Sequence, residues 1–177
     1  AKIIASNGLD EKTIQNLQMQ GAKIDTWGIG TKLITAYDQP TLGAVYKLVA
    51  IEDEDGQLVD TIKISNNVGK MSTPGKKQVW RVNDRADRKS EGDYITLVDE
   101  DPRNEKSLNM FNPNFPLQQK DVEDFTARPM LKPIWQDGKY VYNEPTLEES
   151  RQHRFDSLNA LWDEYKRDLN PEVYPVD

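Results

Sequence analysis

Short apolar runs and one amphipathic stretch alternate at the start of the chain. Residues 2–5 and residues 23–30 are largely apolar, and between them Ile14 and Leu17 recur at helical spacing. A strand with apolar neighbours on both faces is typical of a buried parallel sheet. The pattern therefore predicts a strand, a helix and a second strand that pair in parallel.

The boundaries of this predicted helix are marked by polar residues and by glycine. Asn7 or Asp10 can cap its beginning, because both side chains accept hydrogen bonds from free backbone N–H groups. Gly21 predicts its end, since glycine readily adopts the left-handed conformation of a helix stop. Residues 32–36, after the second strand, fit either a short helix or an extended continuation.

From residue 41 the pattern changes to that of antiparallel hairpins. The first two predicted strands flank an Asp-Gly step, which is a strong hairpin signal. The predicted strands lie at residues 44–52, 57–64, 77–82, 94–98, 130–135 and 139–142. Residues 100–119 contain four asparagines and three prolines with little periodicity, which predicts a long surface loop.

A long helix is predicted after the β region. Thr146 and Glu149 have the spacing of a capping box, and Asn170 with Pro171 would stop the helix. Its apolar face would comprise Phe155, Leu158, Leu161, Trp162, Tyr165 and Leu169.

The pattern as a whole predicts three parts. Residues 1–40 would be the carboxyl-terminal part of an α/β barrel, residues 41–145 a mainly β domain, and residues 146–177 a terminal helix and tail. A parallel sheet needs more than two strands to close or to be covered. We therefore expect the chain to be the carboxyl-terminal portion of a longer protein.

Charge and composition exclude several classes of protein. The 23 basic and 30 acidic residues give a net charge of -7, whereas a nucleic-acid-binding surface normally shows a basic excess. The chain has no cysteine, which excludes disulfides and thiolate metal sites and fits a reducing compartment. No apolar run approaches the roughly 18 residues that span a bilayer. We expect a cytoplasmic protein that binds neither nucleic acid nor membranes and holds no metal ion.

Residues typical of phosphate-binding loops follow both of the first two strands. They are Ser6, Asn7, Gly8, Gly28, Gly30 and Thr31. In a parallel barrel, neighbouring strands present their carboxyl ends at the same face, so the two loops would open side by side. Glycine lets the backbone approach an anion closely, and the serine, asparagine and threonine side chains add donors. The alternative is that these residues only form tight connections, as a Gly-x-Gly-Thr sequence often does.

Two further features have a functional and a structural interpretation. The basic segment 63–81 could attract pyrophosphate or ATP, or its lysines could protect a strand edge from aggregation. His153, the single histidine, could be catalytic, but it lacks an evident orienting carboxylate. We favour the structural interpretation for both features.

Ordered motifs along nearly the whole chain show a family resemblance. They lie at residues 5–11, 21–25, 28–31, 42–49, 63–65, 73–77, 81 and 169–177. These motifs resemble the carboxyl-terminal half of the nicotinate phosphoribosyltransferases, a family of type II phosphoribosyltransferases. The resemblance implies an α/β plus β fold: the last strand-helix-strand part of an irregular, TIM-like α/β barrel, a mainly antiparallel β domain, and a long carboxyl-terminal helix.

The resemblance also implies a reaction and its participants. The family joins nicotinate to phosphoribosyl pyrophosphate with ATP hydrolysis and releases nicotinate mononucleotide and pyrophosphate, a step of NAD biosynthesis. ATP and Mg²⁺ would serve the full enzyme, a homodimer, with no tightly bound cofactor. Thr31 matches the family's ribose-phosphate contact. The loops around that phosphate would include Ser6, Asn7, Gly8 and Gly30.

No catalytic residue is expected in this chain, because the family's nicotinate-binding residues and phosphorylated histidine lie in preceding segments. The chain alone would then be inactive. Two alternatives stay open from the sequence. One is a non-catalytic module for assembly, in which the loops serve only as connections, and the other is a fragment of another phosphate-binding α/β barrel enzyme.

Overall fold

The computed structural model describes residues 1–112 and 115–177. These residues form two compact units, Ala1–Lys47 and Leu48–Asp177, which we call unit 1 and unit 2. Within the described ranges, no helix is both long enough and apolar enough to cross a membrane.

Unit 1 contains one parallel pair of strands. Strand β1 (Ile4–Ser6) and strand β2 (Thr26–Gly28) are joined by helix α1 (Glu11–Met19). The predicted order of strand, helix and strand is therefore observed, although both strands are shorter than predicted. A short helix, α2 (Thr31–Ile34), follows β2, so the segment left undecided by the sequence begins as a helix.

Local signals set the ends of α1. The Asp10 carboxylate accepts a hydrogen bond from the Thr13 N–H at 2.7 Å, so Asp10 rather than Asn7 caps the helix. Gly21 follows the last turn with a φ of +82°, the left-handed conformation of a helix stop. The length of the connection between the parallel strands is thus determined by residues that the sequence already identified.

Unit 2 is built from small antiparallel sheets. In chain order its strands are β3 (Ala50–Glu52), β4 (Leu58–Asp60), β5 (Lys77–Asp84), β6 (Ser90–Leu97), β7 (Ser107–Asn112), β8 (Phe115–Glu123), β9 (Phe125–Pro129), β10 (Trp135–Gln136) and β11 (Lys139–Tyr140). The sheet β6-β5-β9 has three strands, and β3-β4, β7-β8 and β10-β11 are two-stranded. The prediction of a mainly antiparallel β region is confirmed.

The core of unit 2 combines side chains of the three-stranded sheet with side chains of the β7-β8 hairpin. Its buried members are Val82, Leu108, Met110, Val122 and Phe125. The prediction of a surface loop over residues 100–119 is therefore wrong for residues 107–112 and 115–119, which form strands, whereas residues 100–106 connect β6 to β7. Its asparagines and prolines concealed a two-residue alternation in β7, in which Leu108 and Met110 are buried and the residues beside them are exposed. Residues 113–114 of that predicted loop lie outside the described residues.

Helix α3 (Leu147–Ala160) begins as predicted. The Glu149 N–H donates to the Thr146 hydroxyl oxygen at 3.3 Å, and the Thr146 N–H donates to the Glu149 carboxylate at 2.7 Å. The predicted capping box is therefore present.

The predicted continuation of α3 to residue 169 is wrong, because the helix ends at Ala160. Leu161 is extended, with a ψ of 145°, and a 3₁₀ turn over Asp163–Lys166 follows. The Lys89 ammonium donates to the carbonyl oxygens of Asn159 at 2.8 Å and Leu161 at 3.2 Å. This contact from the connection between β5 and β6 satisfies carbonyl groups at the end of the helix.

The last residues of unit 2 add to the edge of the three-stranded sheet. Val176 forms a parallel bridge with Asp93 of β6, and the Asp93 N–H donates to the Pro175 carbonyl at 3.0 Å. Arg81 binds the Asp93 carboxylate through two hydrogen bonds of 2.8 and 3.0 Å. The Tyr174 hydroxyl lies 2.5 Å from the Ser90 hydroxyl. These contacts attach the final segment to the core of unit 2.

Candidate functional site

The two predicted phosphate loops begin at the same edge of the parallel pair. The strand register places Ser6 directly opposite Gly28, at the carboxyl end of each strand. A Cβ atom at position 28 would lie only 3.0 Å from the Ser6 Cβ. Glycine is therefore the residue that lets the two strand ends approach this closely, and the structure brings together the starts of both loops.

The first loop turns out of β1 through two residues with positive φ. Asn7 has a φ of 82° and Gly8 a φ of 63°, and both are exposed, as is Ser6. Asparagine and glycine are the residues that adopt this conformation most readily. Successive backbone N–H groups in such a turn can face one anion.

The second loop leads from β2 into α2. The Gly30 carbonyl accepts hydrogen bonds from the Leu33 N–H at 3.1 Å and the Ile34 N–H at 3.2 Å. A Cβ atom at Gly30 would have no neighbour within 4 Å, so the space beside this backbone is open. Thr31, the first residue of α2, is exposed. An incoming oxyanion could reach the Thr31 hydroxyl without displacing a side chain.

An ion pair that the sequence analysis did not identify joins the two loops. The Lys32 ammonium contacts one carboxylate oxygen of Asp10, and the other oxygen accepts from Thr13. Hydrogen bonds from Lys32 first and then from Thr13 hold the pKa of the Asp10 carboxyl well below its usual range. The same pairing raises the pKa of Lys32. Each residue lies next to one of the predicted loops, but only the parallel pairing of β1 and β2 brings the two side chains together.

The basic segment 63–81 uses part of its charge within unit 2. The Lys77 ammonium donates to the carbonyl oxygens of Thr73, Pro74 and Gly75 at 2.7, 2.9 and 2.7 Å. Arg81 is paired with Asp93. These contacts stabilise the turn before β5 and support the structural interpretation of the segment.

His153 lies on an exposed face of α3. It lines a cleft of about 340 Å³ together with residues that include Arg128, Lys132 and Asp156. The Asp156 carboxylate accepts a hydrogen bond from Gln152 at 2.8 Å. In the part of the chain that the structure describes, no group of three or more histidine, aspartate or glutamate side chains is arranged to hold a metal ion.

Comparison with known proteins gives one consistent result. The family model described as "Nicotinate phosphoribosyltransferase C-terminal domain" matches residues 76–177. The nicotinate phosphoribosyltransferase of Bacillus subtilis (strain 168) is 54% identical over 177 residues, which are 100% of this chain and 36% of that protein. The Caenorhabditis elegans nicotinate phosphoribosyltransferase is 33% identical over 98% of this chain and 30% of its own length.

A solved structure agrees with these sequence matches. The crystal structure of human nicotinic acid phosphoribosyltransferase superposes with a TM-score of 0.71 and 26% identity, covering 99% of this chain and 30% of that chain. The present chain thus spans about a third of the length of the curated relatives it matches. Because the family model covers more than half of its residues, this chain belongs to the nicotinate phosphoribosyltransferase family and corresponds to its carboxyl-terminal region.

Proposed function

We propose that this chain is part of an enzyme that joins nicotinate to phosphoribosyl pyrophosphate, forming nicotinate mononucleotide and pyrophosphate with ATP hydrolysis. We further propose that unit 1 holds the 5-phosphate of the ribosyl substrate between the two loops that follow β1 and β2. Family membership supports the reaction. The observation that supports the site is the pairing of Ser6 with Gly28 at the carboxyl ends of adjacent parallel strands.

The loops offer the chemistry that a phosphate requires. A phosphate needs several hydrogen-bond donors that converge from fixed directions. Ser6, Asn7 and Thr31 contribute exposed polar side chains, and the turns at Gly8 and Gly30 contribute backbone N–H groups. A phosphate held here would fix one end of the ribosyl group, and binding energy from this remote end would orient the reacting carbon.

The other groups that the proposed reaction needs would lie outside this chain. The nicotinate-binding residues, the phosphorylated histidine and the rest of an irregular α/β barrel would come from the other part of the enzyme. The proposal gives this chain no part in holding the Mg²⁺ that accompanies ATP. The homodimer and the cytoplasmic location stay predictions from the resemblance and the composition.

The proposal is tested in the complete protein that contains this chain. Thr31→Val keeps the shape of the side chain but removes the hydroxyl, so a charge-assisted hydrogen bond of roughly 1.5 to 3 kcal/mol should be lost. Calorimetric titration with ribose 5-phosphate should show about ten- to hundred-fold weaker binding. Thr41→Val, another exposed threonine of unit 1, is the matched control. Equal affinity in the Thr31→Val and Thr41→Val proteins would leave the loops as ordinary connections.

A further inference from the structure

The ion pair between Asp10 and Lys32 connects the two loops of unit 1. Asp10 ends the turn that starts at Ser6, and Lys32 follows Thr31 in α2. Their side chains are 22% and 39% exposed, so the pair is partly shielded from water. Partial shielding strengthens an ion pair compared with one that is fully solvated.

The Asp10 carboxylate is held in place from two sides. One oxygen caps α1 through the Thr13 N–H, at 2.7 Å, and the other oxygen contacts the Lys32 ammonium. The carboxylate therefore cannot follow Lys32 without giving up the helix cap. This arrangement fixes the position of α2 relative to the beginning of α1, and with it the separation of the two loops.

We propose that Asp10 and Lys32 are positioning residues, whose ion pair sets the distance between the two loops that hold the substrate phosphate. The inference rests on the proposed function of these loops. Donors that are already in place bind an anion without the entropic cost of ordering two loops at that moment. Lys32 also neutralises Asp10, whose charge would otherwise repel an anion bound nearby. Neither residue needs to touch the phosphate.

The charges of Asp10 and Lys32 predict an order of phosphate affinity among variants. Lys32→Met leaves Asp10 uncompensated next to the site and should weaken phosphate binding the most. Adding Asp10→Asn to Lys32→Met removes the repulsion and should restore part of the affinity. Lys32→Arg keeps the charge and the contact. Asp10→Asn alone keeps the helix cap, because asparagine is as good a capping residue as aspartate, so it tests the pair in a protein that retains α1.

A second ion pair in unit 1 provides a matched control. Lys12 and Asp38 lie 3.6 Å apart, and their side chains are 83% and 66% exposed. Lys12→Met removes the same charge and the same number of atoms as Lys32→Met. Because the ion pair of Lys12 does not connect the two loops, the Lys12→Met substitution should leave phosphate binding unchanged.

The experiment measures steady-state kinetics and ribose 5-phosphate affinity in the complete enzyme, with Thr31→Val as the reference. Lys32→Met should raise the KM for phosphoribosyl pyrophosphate and the Kd for ribose 5-phosphate roughly tenfold, with little change in the KM for nicotinate. Lys32→Arg and Lys12→Met should have KM and Kd values close to those of the unaltered enzyme. The thermal midpoint of each variant shows whether its stability changes together with its KM and Kd values.

The outcomes separate this inference from the function on which it rests. If Thr31→Val weakens binding but Lys32→Met and Asp10→Asn do not, the positioning role is wrong and the proposed function stands. A uniform loss, in which both KM values and the thermal midpoint change together, would also overturn it, because that pattern indicates general destabilisation. If Thr31→Val too leaves ribose 5-phosphate affinity unchanged, the proposed function itself fails.

Discussion

Unit 1 and unit 2 differ in how they bury apolar side chains. Unit 2 has a core to which β5, β7, β8 and β9 all contribute, with Val82 and Met110 almost completely buried. In the described part of unit 1, Leu9 is the one buried hydrophobic side chain. Apolar residues on β1 and on both helices of unit 1 stay exposed, among them Ile4, Met19 and Ile34.

The difference shows where this chain needs additional protein. Strands of a parallel sheet are normally covered on both faces, yet Ile4 in β1 is 69% exposed. Apolar side chains left uncovered on a strand of a parallel pair indicate packing against other protein. We infer that unit 2 can fold around its own core, whereas unit 1 presents the candidate site on a scaffold that other protein must complete.

Separating the two units gives the largest expected effect. Residues 48–177 expressed alone should unfold in one cooperative transition in urea, because their core is internal. Residues 1–47 alone should show no such transition, since too little apolar surface is buried to offset the loss of chain entropy. Far-UV circular dichroism during denaturant titration measures both. Cooperative unfolding of residues 1–47 would contradict the comparison.

Two methionines sharpen the comparison at the level of single side chains. Met110→Ala removes a side chain that is 1% exposed and should lower the free energy of unfolding by about 2 to 5 kcal/mol. Met19→Ala, in α1 of unit 1, removes a side chain that is 80% exposed and should change the free energy of unfolding by less than about 0.5 kcal/mol. Denaturant unfolding of the 177-residue chain gives both values. Equal losses would mean that the assignment of the core is wrong.

Gly92 tests whether the final segment belongs to the core of unit 2. It has a φ of +143°, and a Cβ atom there would lie 3.0 Å from the Met110 Cε and from two atoms of Pro175. Gly92→Ala should therefore destabilise the chain by about 1 to 3 kcal/mol. Gly43→Ala, where a Cβ atom would meet nothing within 4 Å, is the control. A neutral Gly92→Ala would show that the final segment can detach without cost.

The smallest effect concerns α3, which has no buried residue in the described structure and resembles the two helices of unit 1 in this respect. Hydrogen bonds from the Thr146 N–H and then its hydroxyl lower the pKa of Glu149. Because this pKa is lowered in the folded chain, the charge of Glu149 stabilises the helix start at pH values above the ordinary glutamate pKa of about 4.3. The stabilisation disappears as the pH falls through the lowered pKa.

Glutamine supplies the control for this pH dependence, since it also completes a capping box but does not titrate. NMR titration from pH 6 downwards should show the Thr146 and Glu149 amide signals moving in the unaltered chain and staying nearly constant in Glu149→Gln. Identical pH profiles in the two proteins would mean that the capping box does not respond to the charge of Glu149.

The sequence predicted those features that depend on neighbouring residues. The cap of α1, the capping box of α3 and the hairpin around Gly56 all follow from local chemistry, and all are present. The Asp53 N–H, for example, donates to the Gln57 carbonyl at 2.9 Å across that hairpin. Each of these features can form before the rest of the chain is in place.

The missed features depend on residues that are distant in the sequence. The end of α3 is set by Lys89, and the β7-β8 hairpin is stabilised by packing on Val82 and Phe125. The contact between Asp10 and Lys32 exists only because β1 and β2 pair in parallel. Periodicity and composition contain no information on such contacts, although the position of the candidate loops followed from the predicted parallel pair.

The phosphate site is tested most directly by NMR of the complete enzyme with ¹⁵N-labelled glycines, to which ribose 5-phosphate is added. Gly8, Gly28 and Gly30 report on the loops of unit 1, whereas Gly56, Gly92 and Gly138 report on unit 2 within the same sample. We expect the signals of the three loop glycines to shift in a saturable way and those of the three unit 2 glycines to stay in place. Saturable shifts confined to unit 2, with the loop glycines unmoved, would contradict the assignment of the phosphate site.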